Sequence, residues 1–321
     1  MAAEKTKAIV LRVTEFSESS CIAMLLTREF GKQTLIAKGA RRAKSPFEAA
    51  LDVLAICRIV FLHKSSGAMG ILTEAKLERR FRNARNSLEW LYASYYLIEL
   101  LRTLVEEGDP HPDLFDLAET SIGELDRSLA AGDHVVPSAR TEVAASKMNA
   151  IDDFFELNTC VLRFETGLLK ITGHFPLLSH CVGCGRERTT NQAVSFALQA
   201  GGIVCPKCRP AQPSLMQVKP EVIEQLNKLS QEYDARAKDV DISLHEIQQT
   251  GRRERNGTEV REKALNYTLD IGPRNLNAVV ETRRLMNRFM SSLMGFEPRT
   301  MKFLESLARP PVSVENGTGI Q

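Results

Sequence analysis

"KAIVLRVTEFSESSCIAMLLTREFGKQTLIAKG", Lys7 to Gly39, decides the class of fold. Three runs in it, KAIVLRV, SCIAMLLTRE and KQTLIAKG, are rich in branched and apolar residues and separated by turn formers, the pattern of short strands. Gly31, directly after Phe30, marks a tight hairpin corner. Two more runs follow: DVLAICRIVFL alternates Val53, Ala55, Cys57, Ile59 and Phe61 on one face, and ILTEAKLERRF comes after HKSSGAMG. Five short strands in succession predict a small barrel.

From Asn86 the period changes. Leu88, Leu91, Tyr92, Tyr95, Ile98, Leu101 and Leu104 are spaced for one face of a long helix. Trp90, Tyr92, Tyr95 and Tyr96 share that spacing and read as core packing rather than base stacking. A second helix is expected from Asp113 as N-cap, with Leu114, Leu117, Ala118, Leu125 and Leu129 as its stripe. AGDHVVPSARTE then reads as a loop, and a third helix is expected over roughly Ala144 to Thr172, stopped by Gly173 and Pro176. KPEVIEQLNKLS predicts a short helix opened by Pro220. Residues 231–266 are charged and weakly periodic, so much of that stretch is expected to be mobile. A last helix carries Leu276, Val279, Val280, Leu285, Met286, Phe289, Leu293 and Met294, and the tail 309–321 is expected to be disordered.

The segment CVGCGRERTTNQAVSFALQAGGIVCPKC holds the most specific signal. Cys181 and Cys184 are followed, about twenty residues later, by Cys205 and Cys208. Four thiolates at that spacing suit tetrahedral zinc, with Gly183, Gly185 and Pro206 shaping the two knuckles and AVSFALQAGGIV able to form a hairpin between them. Four protein ligands leave no position for water or substrate, so one structural Zn2+ per chain is expected. His174 and His180 read as bystanders, and Cys21, Cys57 and Cys160 as core residues.

Charge gives a second signal. Of 321 residues, 42 are Lys or Arg and 40 Asp or Glu, a formal net charge of +2, so attraction to a polyanion must arise locally. Lys38, Arg41, Arg42 and Lys44 cluster in a loop that leaves the third predicted strand, with Gly39 letting the chain bend. Lys32 and Arg12 extend the patch, as do Arg79, Arg80, Arg82 and Arg85 after the fifth strand. On a five-stranded barrel such a surface suits a phosphate backbone. A solvated charged loop explains it equally well at this point. Arg283, Arg284 and Arg288 form a second basic face on the last helix, for which a solvated face is the leading reading.

Several classes are excluded or disfavoured. There is no phosphate-binding Gly-x-x-x-x-Gly-Lys-Ser/Thr loop, no Gly-x-Ser-x-Gly elbow and no His-Glu-x-x-His helix, so an enzyme is not expected. The amino terminus carries no basic start followed by an apolar run, and no stretch approaches about 18 apolar residues. A cytoplasmic location follows as an expectation.

Taken in order, KAIVLRVTEFSESSCIAMLLTREFGKQTLIAKGARRAKS, NSLEWLYASYYLIELL, CVGCG with GGIVCPKC, and FEPRTMKFLESL near the end closely resemble the RecO family of bacterial recombination mediators. The resemblance implies an α+β chain: an OB-fold barrel over 1–83 and a mainly α-helical domain over 84–178 and 212–308, with a four-cysteine zinc ribbon embedded at 179–211. It also implies binding of single- and double-stranded DNA, annealing of complementary strands, and work with RecR to load RecA onto DNA coated by single-stranded DNA-binding protein (SSB), whose acidic tail is a further partner. DNA contacts would then fall to Arg12, Lys32, Lys38, Arg41, Arg42, Lys44, Arg80 and Arg82. A nucleoid-associated, cytoplasmic place goes with that function. From another class, an RNA- or protein-binding adaptor could use the same barrel and ribbon. A zinc hydrolase is the least favoured, because four thiolates close the site.

Overall fold

The computed structural model describes residues 3–42, 45, 47, 50–63, 69–81, 87–127, 142–188, 192–250 and 275–303, with backbone only at 142–150 and 239–250. Lys44, Arg82, Arg85, Leu129, residues 251–266 and the tail 309–321 therefore lie outside the described residues.

Strands β1 (Ala3–Glu15), β2 (Cys21–Thr27), β3 (Gly31–Ala37), β4 (Ile56–Leu62) and β5 (Gly70–Arg79) close a barrel in the order β1-β2-β3-β5-β4. Closure depends on β1, whose first part pairs with β4 from Ala3↔Leu62 to Ile9↔Ile56. Its later part pairs with β2 from Ala8↔Thr27 to Glu15↔Cys21. The register shifts between Val10 and Arg12, a bulge of the kind that bends a strand so that it can serve two neighbours. Parallel pairing of β3 with β5 completes the five-stranded barrel expected from the strand pattern, OB-like as the family resemblance implies.

Alternation fills the interior. Ala8, Val10, Ala23, Leu25, Leu35, Ala37, Cys57, Ile59, Phe61 and Leu72 form one apolar cluster, joined by Phe47 and Ala50 from the β3–β4 connection. Burial, with a smaller contribution from Glu78, pushes the Cys57 thiol up to about 12, so this cysteine behaves as a small apolar residue. Gly31 stands at φ 65°, and a Cβ there would come within 2.1 Å of the Asp109 carbonyl oxygen, so the β2–β3 corner accepts only glycine.

Helix α1 (Leu88–Leu104) buries Trp90, Ala93, Tyr96, Leu97, Leu100 and Leu101, and it lies against β1. Trp90 and Tyr96 are core residues as expected, while Tyr95 is exposed. Helix α2 (Pro112–Arg127) buries Leu114, Phe115, Ala118, Ile122 and Leu125. It starts one residue before Asp113, which is therefore an acidic first-turn residue and not the N-cap. Polar ties hold the barrel to these helices: Arg28 donates twice to the Asp116 carboxylate at 2.9 and 3.0 Å, and Lys7 reaches Glu119 at 2.5 Å.

Helix α3 (Glu142–Ile171) runs close to its expected bounds and ends before Gly173, whose φ is 73°. The chain divides into two compact units, Met1–Ala131 with Gly167–His174 and Gly132–Thr166 with Phe175–Gln321. In the second unit β6 (Val194–Ala197), β7 (Gly202–Val204) and β8 (Leu215–Val218) make a sheet in the order β7-β6-β8. Helices α4 (Pro220–Thr250) and α5 (Leu276–Met294) follow. Helix α4 does not end near Ser230 as the loss of periodicity suggests. It continues through residues 231–250, the first part of the segment expected to be mobile.

The basic face expected on α5 is also corrected. Arg284 and Arg288 are exposed, but Arg283 is buried and donates to both carboxylate oxygens of Glu165 at 2.6 and 3.1 Å, with Asn287 accepting from the same guanidinium. Neither Arg283 nor Glu165 retains more than 1% side-chain exposure, so each charge relies on the other for what water would supply. Arg283→Met should lower stability by about 3–5 kcal/mol by leaving a buried carboxylate unpaired. The double variant Arg283→Met/Glu165→Leu should recover most of the loss, as read from urea unfolding midpoints.

Candidate nucleic-acid interface and metal centre

The register of the barrel decides which charges meet. Glu15 pairs with Cys21, and Cys21 with Ala37, so the β1–β2 turn and the loop leaving β3 lie at the same end. Gly39, at φ 73°, turns the chain, and the Arg42 amide donates to its carbonyl at 3.1 Å. Arg41 ties the two loops together. Its amide donates to the Ser19 carbonyl at 3.0 Å, and its guanidinium meets the Glu15 carboxylate at 3.0 Å and the Ser17 carbonyl at 3.3 Å. The far side of the loop is anchored too, since the Ser45 amide donates to the Arg42 carbonyl at 3.1 Å and Phe47 is buried in the barrel.

Lys38 and Arg42 are exposed on this fixed loop, and neither has an ion-pair partner among the described residues. They are thus separated in role from Arg41, whose charge is already met by Glu15. Arg12 is exposed on β1 opposite Met24, about 10 Å along the strand from Glu15.

Lys32 sits at the opposite end of β3, about 20 Å along the strand from Lys38. Its ammonium donates to the Arg102 carbonyl at 2.8 Å, and its own carbonyl accepts from Gly108. Burial holds its pKa below the usual lysine range, with Glu107 opposing and Arg102 assisting that shift. Lys32 is a joint between the barrel and the α1–α2 connection. Arg80 is half-buried, and Arg79 lays its guanidinium over the Phe81 ring at 5.1 Å and fills the space beside Gly123. The structure therefore groups Lys38, Arg41 and Arg42 and sets Lys32 apart. Glu15 and Ser17 were missed as parts of this site, although counting antiparallel strands would have placed their turn beside the loop.

The cysteine segment forms a second site. Cys181 and Cys184 precede β6, Cys205 and Cys208 follow β7, and the β6–β7 hairpin closes the ribbon between them. The four Sγ atoms lie within 4.8 Å of one another, and Cys184 and Cys205 are 3.7 Å apart. Sulfurs about 2.3 Å from a shared tetrahedral ion stand about 3.8 Å apart, so the set fits a metal ion. Each knuckle is a backbone turn, with Gly185 donating to the Cys181 carbonyl at 2.8 Å and Cys208 to that of Cys205 at 3.0 Å. A Cβ on Gly183 would come within 3.1 Å of the Cys208 sulfur.

Burial opposes ionisation of Cys181. Hydrogen bonds from the backbone at Cys205, Gly183 and Cys184 outweigh it and hold this thiol down to about 6. Cys208 moves the other way, up to about 12, because of its hydrogen bonding with Cys205 and Cys184. Four thiols this close cannot all ionise without a cation among them. His180 instead pairs its Nδ1 with Ser179 Oγ at 2.9 Å and is not in the sulfur cluster.

Among the described residues no helix is long and apolar enough to cross a membrane. A family model described as "Recombination protein O N terminal" matches residues 1–81, and one described as "Recombination protein O C terminal" matches 85–137 and 144–252. A DNA repair protein RecO of Rhodopirellula baltica is 36% identical over 303 residues, covering 92% of this chain and 97% of that protein. One of Syntrophus aciditrophicus is 24% identical over 311 residues, 96% and 97% of the two chains. Another, of Halalkalibacterium halodurans, is 28% identical over 224 residues, 69% and 75%.

The sulfur cluster should hold about one equivalent of metal per chain when the protein is purified without chelator. Cys184→Ser should lower that content, and occupancy should fall with acid as protons compete for the thiolates. Elemental analysis across a pH series checks both.

Proposed function

The chain belongs to the RecO family of DNA repair proteins, and from that premise we propose that it is a recombination mediator acting through the barrel loop Lys38–Arg42. It binds single- and double-stranded DNA and anneals complementary strands. With RecR it helps load RecA onto DNA coated by SSB. The observation that carries this reading is the pair of exposed cations, Lys38 and Arg42, on a loop stiffened by Arg41 at one end of an OB-type barrel.

The physical mechanism is neutralisation. Two complementary strands repel through their phosphates, and each protein cation placed beside a phosphate releases condensed counterions. A surface that does this for both strands lowers the barrier to their meeting, after which base pairing drives the reaction without ATP. No catalytic residue is needed, so the protein is read as a non-enzyme. Arg12, Arg80, Lys44 and Arg82 remain candidate contacts on the same account. Lys32 is the weakest of the set, because its ammonium is already held by the Arg102 carbonyl.

The residue ranges follow the same reading: 1–83 as the DNA-binding barrel, 84–178 and 212–308 as the helical domain, and 179–211 as the ribbon. The ion is Zn2+, bound by Cys181, Cys184, Cys205 and Cys208 and structural, since four thiolates complete its preferred shell. Binding of the acidic SSB tail calls for a basic rim around an apolar pocket. The protein would act in the cytoplasm, on the nucleoid.

Lys38→Ala and Arg42→Ala should each reduce the slope of log affinity against log salt by about 0.7 for single-stranded DNA. Glu15→Gln should release Arg41 and strengthen binding at low salt. Titrations by anisotropy at several salt concentrations, with a strand-annealing assay on the same variants, check these outcomes. Unchanged slopes would reject the loop. Stronger competition by RNA than by single-stranded DNA would favour the adaptor class.

A further inference from the structure

Phe16 is the most exposed aromatic side chain among the described residues, at 60%. A single exposed aromatic carries no message by itself. Its position here does, because the residues on either side of it, Glu15 and Ser17, both hold the Arg41 guanidinium. The turn around it is closed: the amides of Phe16 and Ser17 both donate to the Ser20 carbonyl at 3.1 Å, and the Ser20 amide donates to Ser17 Oγ at 3.2 Å. The ring is thus presented on a stiff turn, one residue from a fixed cation's partners and at the same end of the barrel as Lys38 and Arg42. Packing does not require it there, since Phe47 and Ala50 already supply apolar cover to the barrel interior.

We infer that Phe16 is a stacking platform for an unpaired base, and that this ring lets the barrel end tell single-stranded from duplex DNA. The inference rests on the loop reading proposed above and adds a division of labour to it. Lys38 and Arg42 meet the phosphates, which both forms of DNA share. Phe16 offers a π-face, which only a base free of its neighbours can cover. In a duplex each base already stacks on both sides, so the ring gains nothing without unstacking a step.

The test uses full-length protein with single substitutions. Phe16→Ala removes little buried surface and should leave thermal unfolding unchanged. It should weaken binding to an unstructured oligothymidine about tenfold, with the salt slope unaltered, and alter duplex affinity less than about twofold. Phe16→Trp places an indole at the same site, and Trp90, being buried, adds only a constant background. Its emission should be quenched by the single strand at saturation and not by the duplex.

No quenching, or equal weakening of single-strand and duplex binding by Phe16→Ala, would overturn the stacking role. If that happens while Lys38→Ala and Arg42→Ala still reduce the slope, the loop reading stands and only Phe16 is misassigned. If those two variants are without effect, or the wild-type protein binds no oligonucleotide, the loop reading fails and the stacking inference falls with it.

Discussion

Barrel closure through β1 is the constraint from which the arrangement of the amino-terminal unit follows. A strand of 13 residues must pair with β4 along its first part and β2 along its second. The bulge between Val10 and Arg12 lets it bend from one neighbour to the other. Once closed, the register fixes where the strand ends stand. The turn Phe16–Ser20 and the loop after Ala37 must emerge side by side, because Glu15, Cys21 and Ala37 lie in one row across three strands. The Arg41 latch is a consequence of that row.

Charge in this protein is divided between structural and free groups, which is why a net charge of +2 says so little. Arg28 is engaged by Asp116, Lys7 by Glu119, Lys32 by a backbone carbonyl and Arg283 by Glu165. Each of these is at least partly buried, where a charge without a partner is costly. Lys38 and Arg42 are exposed and have no ion-pair partner among the described residues, and in water such a cation costs little and stays available to a polyanion. The difference between a basic surface and a basic composition lies in this division.

The sulfur cluster belongs to the second unit. Its apolar cluster is small, with Cys181, Ala197 and Val204 as the buried members, and Phe196, Ile203 and Val218 of the same strands are buried as well. A metal ion held by the four thiolates would tie the two knuckles together. The ribbon also joins the rest of its unit through Phe196, whose ring meets Phe289 of α5 edge-on at 5.7 Å.

Much of this was legible in the residues. Strand alternation gives the five barrel strands and their interior faces, glycine marks the corners at Gly31 and Gly173, and the paired Cys-x-x-Cys motifs pick out the four cysteines that the fold gathers, since each signal is local and depends on a few neighbouring residues. What failed was whatever depends on a distant partner. Arg283 looks like its neighbours Arg284 and Arg288 until Glu165, 118 residues away, is brought against it. Lys32 looks like part of the patch until the Arg102 carbonyl accepts from its ammonium. Residues 231–250 lack a strong helical period, yet the helix begun at Pro220 continues through them. Residue types and their spacing were enough to say which side chains can carry charge, bind metal or fill a core. Which of the described cations are engaged was decided by the folded chain, because a charge gains a partner only when the fold sets one beside it.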